Sequence, residues 1–298
     1  MKKSKKLFSL LTATVLVGAL LTGCGTKSDD NTNTSDATPT ESASGTTEAG
    51  SGDLVEIVVG ATIEPHATIL NSDAVKNSLK EQGFSIKVVE YTDYVQPNVA
   101  TQDGSLDANF FQHLPYLNDF NTNNGTTLAS VANVHFEPLG IYAGKTTSID
   151  ALTDGAQIAV PNDATNEARA LLLLEKAGLI KLNEGVGLNA TKNDILENPK
   201  NLDIVEIEAA QTVKVLKDVD LAVINGNYAL AEGLSASKDA LLVEDPTSEA
   251  AVTYANIIVV KEGNEQSEKT LALIKAVTSE ETKKFIEEKW QGAVVPVF

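Results

Sequence analysis

Residues 53–298 predict an α/β domain. Short apolar runs alternate along this stretch with amphipathic segments of helical period, the pattern of largely parallel sheets covered by helices. A span of about 245 residues suits one large domain or two smaller lobes. Hydrophobic residues make up 42% of the chain and aromatic residues 5%, ordinary values for a globular α/β protein.

The elements follow in order. Leu54-Val55-Glu56-Ile57-Val58-Val59-Gly60 is the first strand, and a helix over 66–82 follows it and stops at Gly83. Residues 85–91 form the next strand, 94–101 a helix and 106–110 a short strand. Gln157-Ile158-Ala159-Val160-Pro161 opens a second set of units and leads into a helix over 166–177, with Gly178 as its stop. A strand at 202–207, a helix at 209–217 and a strand at 221–225 continue the rhythm. A late strand at 254–260 precedes two closing helices, 265–277 and 279–289. No fixed-period repeat is present. In such sheets ligands sit outside the carboxyl ends of strands, near helix N-termini. The residues just after each strand are therefore the ones to examine.

The N-terminal residues are of another kind. Lys2, Lys3, Lys5 and Lys6 precede an apolar run over 7–21 that ends in Leu21-Thr22-Gly23-Cys24. A basic region, a short apolar region and a small-residue cleavage site make an export signal. The run is shorter than the roughly 20 apolar residues of a spanning helix. The site resembles the lipobox of bacterial lipoproteins, in which the cysteine becomes the first mature residue and carries lipid on its sulfur and amine. Cys24 is the only cysteine, so no intramolecular disulfide is available and the core must supply stability. Residues 26–52 contain no Leu, Ile, Val or aromatic side chain. Such a segment cannot bury enough apolar surface to offset ordering, and it reads as a flexible tether from membrane to domain. Formal net charge is -18, and losing the four lysines of residues 1–23 takes it to -22. A surface this acidic argues against nucleic acid and against lying directly on anionic lipid.

Three clusters at strand ends carry chemistry. In Ala159-Val160-Pro161-Asn162-Asp163-Ala164-Thr165-Asn166-Glu167-Ala168-Arg169, a strand runs through a polar loop into a helix. Asn166 and Arg169 stand three apart on its first turn, on one face. Free N–H groups, the positive dipole end and a guanidinium together suit a carboxylate or phosphate. Arg169 is the only arginine in the chain; the plainer alternative is a surface ion pair with Glu167 or Glu175. In Asp107-Ala108-Asn109-Phe110-Phe111-Gln112-His113-Leu114-Pro115-Tyr116-Leu117, the side chains of Phe111, His113 and Tyr116 could line an apolar pocket or be plain core. In Val223-Ile224-Asn225-Gly226-Asn227-Tyr228-Ala229, the asparagines could fix an amine and a carboxylate or merely cap a helix.

Five ordered motifs carry a family resemblance. They are Gly60 with Pro65-His66, the 107–117 segment, His135-Phe136-Glu137-Pro138-Leu139-Gly140-Ile141-Tyr142, Pro161-Asn162-Asp163 through Leu174, and Ile224-Asn225-Gly226-Asn227-Tyr228-Ala229. Together they resemble the methionine-binding lipoproteins of bacterial ABC importers, the NlpA/MetQ lipoprotein family, over essentially the whole folded part. The resemblance implies a periplasmic-binding-protein fold: two α/β lobes, a two-segment hinge and a ligand cleft between them. Lobe 1 would be about 53–136 plus 246–298 and lobe 2 about 137–245, after a signal peptide at 1–23 and a lipidated tether at 24–52. It implies that Arg169 clamps the ligand α-carboxylate with help from Asn166, and that Asn225 holds the α-amino and carboxylate groups. Tyr94, Phe111, His113 and Tyr116 would wall the side-chain pocket, with Glu137 as a further partner for the amine. Phe110 stands where a tyrosine is common in the family, and His66 has no role beyond a helix start. The implied partners are a small-molecule ligand (methionine, its D-isomer or a methionine dipeptide) and the permease and ATPase of an importer. The implied location is the extracytoplasmic face of the cell membrane, through lipid on Cys24.

Two other classes compete. An enzyme on the same fold would need a nucleophile and base, yet the histidines fall in different motifs, the one cysteine lies at the cleavage site, and no Gly-rich nucleotide loop is present. No two of His66, His113 and His135 have the spacing of a metal pair, so neither metal nor cofactor is expected. A structural surface lipoprotein would not need convergent polar residues at strand ends. The expectation is a binder, not an enzyme.

Overall fold

The structure, a computed structural model, describes residues 53–247 and 249–298. The expected signal segment, Cys24 and the tether lie outside the described residues. Two sheets organise the rest. The first lobe carries β1 (Val55–Thr62), β2 (Phe84–Tyr91), β3 (Ala108–His113) and β4 (Leu128–Phe136). The second carries β5 (Gly140–Ala143) and β6 (Gln157–Pro161), a small antiparallel pair β7 (Lys181–Leu182) and β8 (Ile195–Glu197), then β9 (Asp203–Ile207), β10 (Leu221–Ile224) and β11 (Ala240–Val243). The chain then returns to the first lobe as β12 (Asn256–Lys261) and β13 (Val295–Pro296). Strand order is β13-β4-β12-β3-β1-β2 in the first sheet and β11-β5-β10-β6-β9 in the second.

The sheets are mixed, a correction to the largely parallel sheets that the alternation predicts. β1 is parallel to β2 and β3, and β6 is parallel to β9 and β10. β12 runs antiparallel to β3 and β4, and β5 runs antiparallel to β10 and β11. The reason is topological. The parallel strands end at the cleft between the lobes, whereas a strand arriving from the other lobe starts at the cleft and must run away from it. β5 arrives after the crossing at 137–139 and β12 after the crossing at 244–255. Each sheet has its own core: Ile57, Val59, Phe110 and Leu273 in the first lobe, and Ile141, Ile158, Leu171 and Val223 in the second.

Several elements differ from their sequence readings. The helix expected over 66–82 is split into a turn at Ile63–Ala67, a short helix Thr68–Leu70 and a longer one Asp73–Glu81. Ser72 makes the break, because its hydroxyl accepts the Val75 N–H and starts a new helix. The helix expected over 209–217 is only Ala209–Thr212. A helix at Leu114–Asn124 and strands β4 and β5 fill segments where periodicity gave no element. Among the described residues no helix is long and apolar enough to cross a membrane.

Candidate functional site

Strand ends from both lobes meet at the cleft. β3 is buried along its whole length, which fixes the residues that follow it. A buried amide network reinforces this: Asn98 Nδ2 donates to Gln112 Oε1 at 3.0 Å, and Gln112 Nε2 donates to Asn109 Oδ1 at 2.8 Å. At the strand end His113 caps the helix Leu114–Asn124, its Nδ1 accepting the Tyr116 N–H at 3.2 Å. From the second lobe, Asp163 caps the helix Ala164–Lys176 and sets Asn166 and Arg169 on the cleft face. β10 delivers Asn225, and the first crossing segment delivers Glu137. All eight expected residues, Tyr94, Phe111, His113, Tyr116, Glu137, Asn166, Arg169 and Asn225, line one cavity. Gln112, Gly226 and Asn256 complete its wall. Gln112 and Gly226 lie inside motifs already singled out, while Asn256 opens β12 and carries no local signal.

Arg169 is buried, and its partner is neither Glu167 nor Glu175. Its Nε donates to Glu244 Oε1 at 2.7 Å and its Nη2 to Glu244 Oε2 at 2.5 Å. Nη2 also donates to the Glu137 carbonyl at 2.8 Å. The Tyr254 ring lies 4.4 Å from the guanidinium carbon and the Phe136 ring 5.5 Å away. Nη1 is then the guanidinium nitrogen with no protein acceptor among the described residues, and it is the group left for a ligand carboxylate. Glu244, which opens the second crossing segment, also holds the first, accepting the Leu139 N–H at 2.8 Å. The clamp is thereby tied to both chain crossings.

Asn166 sits beside it in a different role from direct ligand donor. Its Nδ2 donates to both Asp163 oxygens, at 2.9 and 3.1 Å. Its Oδ1 accepts from Asn225 Nδ2 at 2.8 Å and from His113 Nε2 at 3.3 Å. Asn166 is thus saturated by protein partners and orients Asn225. The Asn225 Oδ1 is buried and has no partner, which leaves an acceptor on the cavity wall. Burial, then the nearby Arg169 charge, lowers the His113 pKa to about 3, so this imidazole is neutral.

Aromatic rings form a further part of the wall. Tyr94 lies 5.7 Å from Phe111 and 5.6 Å from Tyr116, centroid to centroid. The Tyr94 hydroxyl donates to Asn227 Oδ1 at 2.6 Å, a bond that spans the two lobes. The Tyr228 hydroxyl donates to the Thr92 carbonyl at 3.2 Å and makes a second such link. Behind Glu137 lie two histidines. His135 Nε2 is 2.7 Å from Glu137 Oε1, and His66 Nε2 is 3.4 Å from the same oxygen. Burial lowers the His66 pKa to about 4 and that of His135 to about 3. Burial raises that of Glu137, with His66, Arg169 and the Asn227 N–H acting the other way.

Two α/β lobes joined by two crossings, with charged groups, amides and aromatic rings meeting in the cleft, define a two-lobed solute-binding protein. The profile of the NlpA lipoproteins matches residues 57–298, and the chain belongs to that family. The D-methionine-binding lipoprotein MetQ of Escherichia coli K12 is 44% identical over 224 residues, 74% of this chain and 81% of that protein. A lipoprotein from Ruminococcus gnavus superposes with a TM-score of 0.80 at 53% identity, over 82% of this chain and 99% of its own. A nutrient-binding protein from Burkholderia cenocepacia, solved bound to methionine, gives 0.76 at 44% identity, over 81% and 100%.

Proposed function

We propose that this protein is the extracytoplasmic binding lipoprotein of an ABC importer, that it binds methionine, and that it hands the amino acid to a membrane permease driven by an ATPase. The observation that carries the reading is one cavity lined both by Arg169, whose Nη1 has no protein acceptor among the described residues, and by Asn225, whose Oδ1 is unpartnered, together with Tyr94, Phe111, His113 and Tyr116. Arg169 takes the α-carboxylate, and Glu137 with Asn225 takes the α-amine. Asn166 positions Asn225, and the rings receive the thioether, whose sulfur favours aromatic edges. The E. coli relative, a D-methionine-binding lipoprotein, and the methionine-bound B. cenocepacia structure support the same ligand class. The binding roles of these relatives support a binder over an enzyme. Lipid on Cys24 would hold the protein at the outer face of the cell membrane, near its permease.

The test is calorimetry of the purified full chain against L-methionine, D-methionine, methionine dipeptides, other amino acids, a sugar and divalent metals. A methionine compound should bind tightest. Tighter binding of a sugar, a metal or a peptide without methionine would refute the assignment.

A further inference from the structure

His66 and His135 do not line the ligand cavity, yet both are fully enclosed and approach one carboxylate. We propose that they are positioning residues: as neutral imidazoles they hold Glu137 as an ionised acceptor at the cavity wall, and so make the site select ligands with a free α-ammonium group. The inference rests on the amino-acid-binding reading above and names the residues that set its selectivity at the amine end.

The tautomers follow from the hydrogen bonds. His135 Nδ1 is buried without a partner. An orphaned lone pair costs less than an orphaned N–H, so the proton sits on Nε2, which donates to Glu137 Oε1 at 2.7 Å. His66 Nε2 faces Asn256 Oδ1 at 3.0 Å and Glu137 Oε1 at 3.4 Å, both acceptors, while its Nδ1 takes the Thr62 hydroxyl proton at 2.7 Å. The Asn227 N–H likewise favours the charged form of Glu137. Every group so placed around the carboxylate is a donor, which suits the ionised form. On its far side Glu137 is crowded by Gly226, where an added Cβ would lie 2.7 Å from the Glu137 Cβ and 2.9 Å from Oε2. Only a glycine leaves room there for the Glu137 side chain.

This arrangement sets what the ligand must offer. Glu137 and the orphaned Asn225 Oδ1 are both acceptors, and an ammonium brings three donors and a charge. An N-acylated amine brings one donor and no charge, leaving a buried acceptor unpaired. A metal site is the competing use of these atoms, since the His66, His135 and Glu137 ligand atoms lie within 4.8 Å of one another. A metal-bound histidine normally donates its other N–H to a partner. His135 Nδ1 has none, which favours the hydrogen-bonded cradle.

The experiment compares His66→Leu, His66→Gln, His135→Leu and His135→Gln in the full chain by calorimetry with methionine and N-acetylmethionine. Glutamine keeps an N–H near the Nε2 position and leucine removes it. The wild type should prefer methionine by about 100-fold or more. Each leucine variant should bind methionine about 10- to 100-fold more weakly with little change for N-acetylmethionine, and glutamine should restore most of the loss. Equal losses for both ligands, or no loss for either, would overturn the proposal, because a merely structural role would not separate them. Nitrogen-15 NMR of the wild type gives a readout that needs neither ligand nor variant: both imidazoles should be neutral with the proton on Nε2. An Nδ1–H signal from His135 would overturn the cradle, as would zinc retained by the full chain and lost in the leucine variants. A wild type that ignores methionine would refute the amino-acid reading instead, with the NMR result still deciding the cradle.

Discussion

The Arg169–Glu244 pair carries two separable consequences. Both residues are over nine-tenths buried and share two charge-assisted bonds. Arg169→Ala strands the Glu244 carboxylate with the Leu139 N–H as its remaining bond. Breaking one side of a buried pair typically costs about 3–5 kcal/mol. For a domain of this size that lowers Tm by about 6–20 °C. Replacing both residues with methionine removes both charges and restores most of the stability. It does not restore binding, because the free Nη1 is gone. Loss of a desolvated charge pair with the ligand costs about 2–5 kcal/mol, or roughly thirty-fold to several thousand-fold in Kd. Thermal unfolding followed by circular dichroism, with calorimetry on the same samples, separates the effects. A single variant as stable as the wild type would show that the pair contributes nothing. A double variant with wild-type methionine affinity would show that the clamp is elsewhere.

Phe111→Ala should weaken methionine binding by about 1–3 kcal/mol, less than loss of Arg169, because it removes apolar burial only; calorimetry that ranks the two the other way contradicts this. Gly226→Ala should lower methionine affinity with the fold intact, since its Cβ would meet Glu137 at 2.7 Å; unchanged affinity in a circular-dichroism-normal variant would count against it. Stability should fall with acid between about pH 6.5 and 4. His66, His113 and His135 have folded pKa values below 6.5, so the unfolded chain takes up protons first. Each contributes about 1.4 kcal/mol per pH unit in that window, and the raised Glu137 pKa, which favours the folded state as pH falls, offsets part of it. Urea unfolding at stepped pH checks this, and a flat profile would exclude it. Cys24→Ala should release the protein from membranes without altering affinity, since every cavity residue lies between Tyr94 and Asn256; membrane fractionation paired with calorimetry decides, and a variant that still sediments with membranes speaks against lipid on Cys24.

Local periodicity made much of this protein legible in its sequence. The apolar runs at 54–60 and 157–161 correspond to β1 and β6, and the helix that carries Asn166 and Arg169 starts at Ala164, close to where the strand-loop-helix pattern places it. Strand ends followed by polar or aromatic residues pointed to Phe111, His113, Tyr116, Asn166, Arg169 and Asn225, and the family resemblance added Tyr94 and Glu137; all eight line one cavity. These features depend on contacts a few residues apart, which sequence order itself specifies. The rest depended on which distant segments meet. Arg169 finds Glu244 75 positions away, and His66 finds Asn256 190 positions away. Neither pairing leaves a local trace, because it exists only once the chain has crossed between lobes twice. The same crossings impose the antiparallel strands β5 and β12, whose direction is set by the edge at which they enter their sheets. Asn166 shows the division most clearly: its spacing placed it on the right face, and the fold then turned its amide toward Asp163 and Asn225, so that it orients a ligand group from behind.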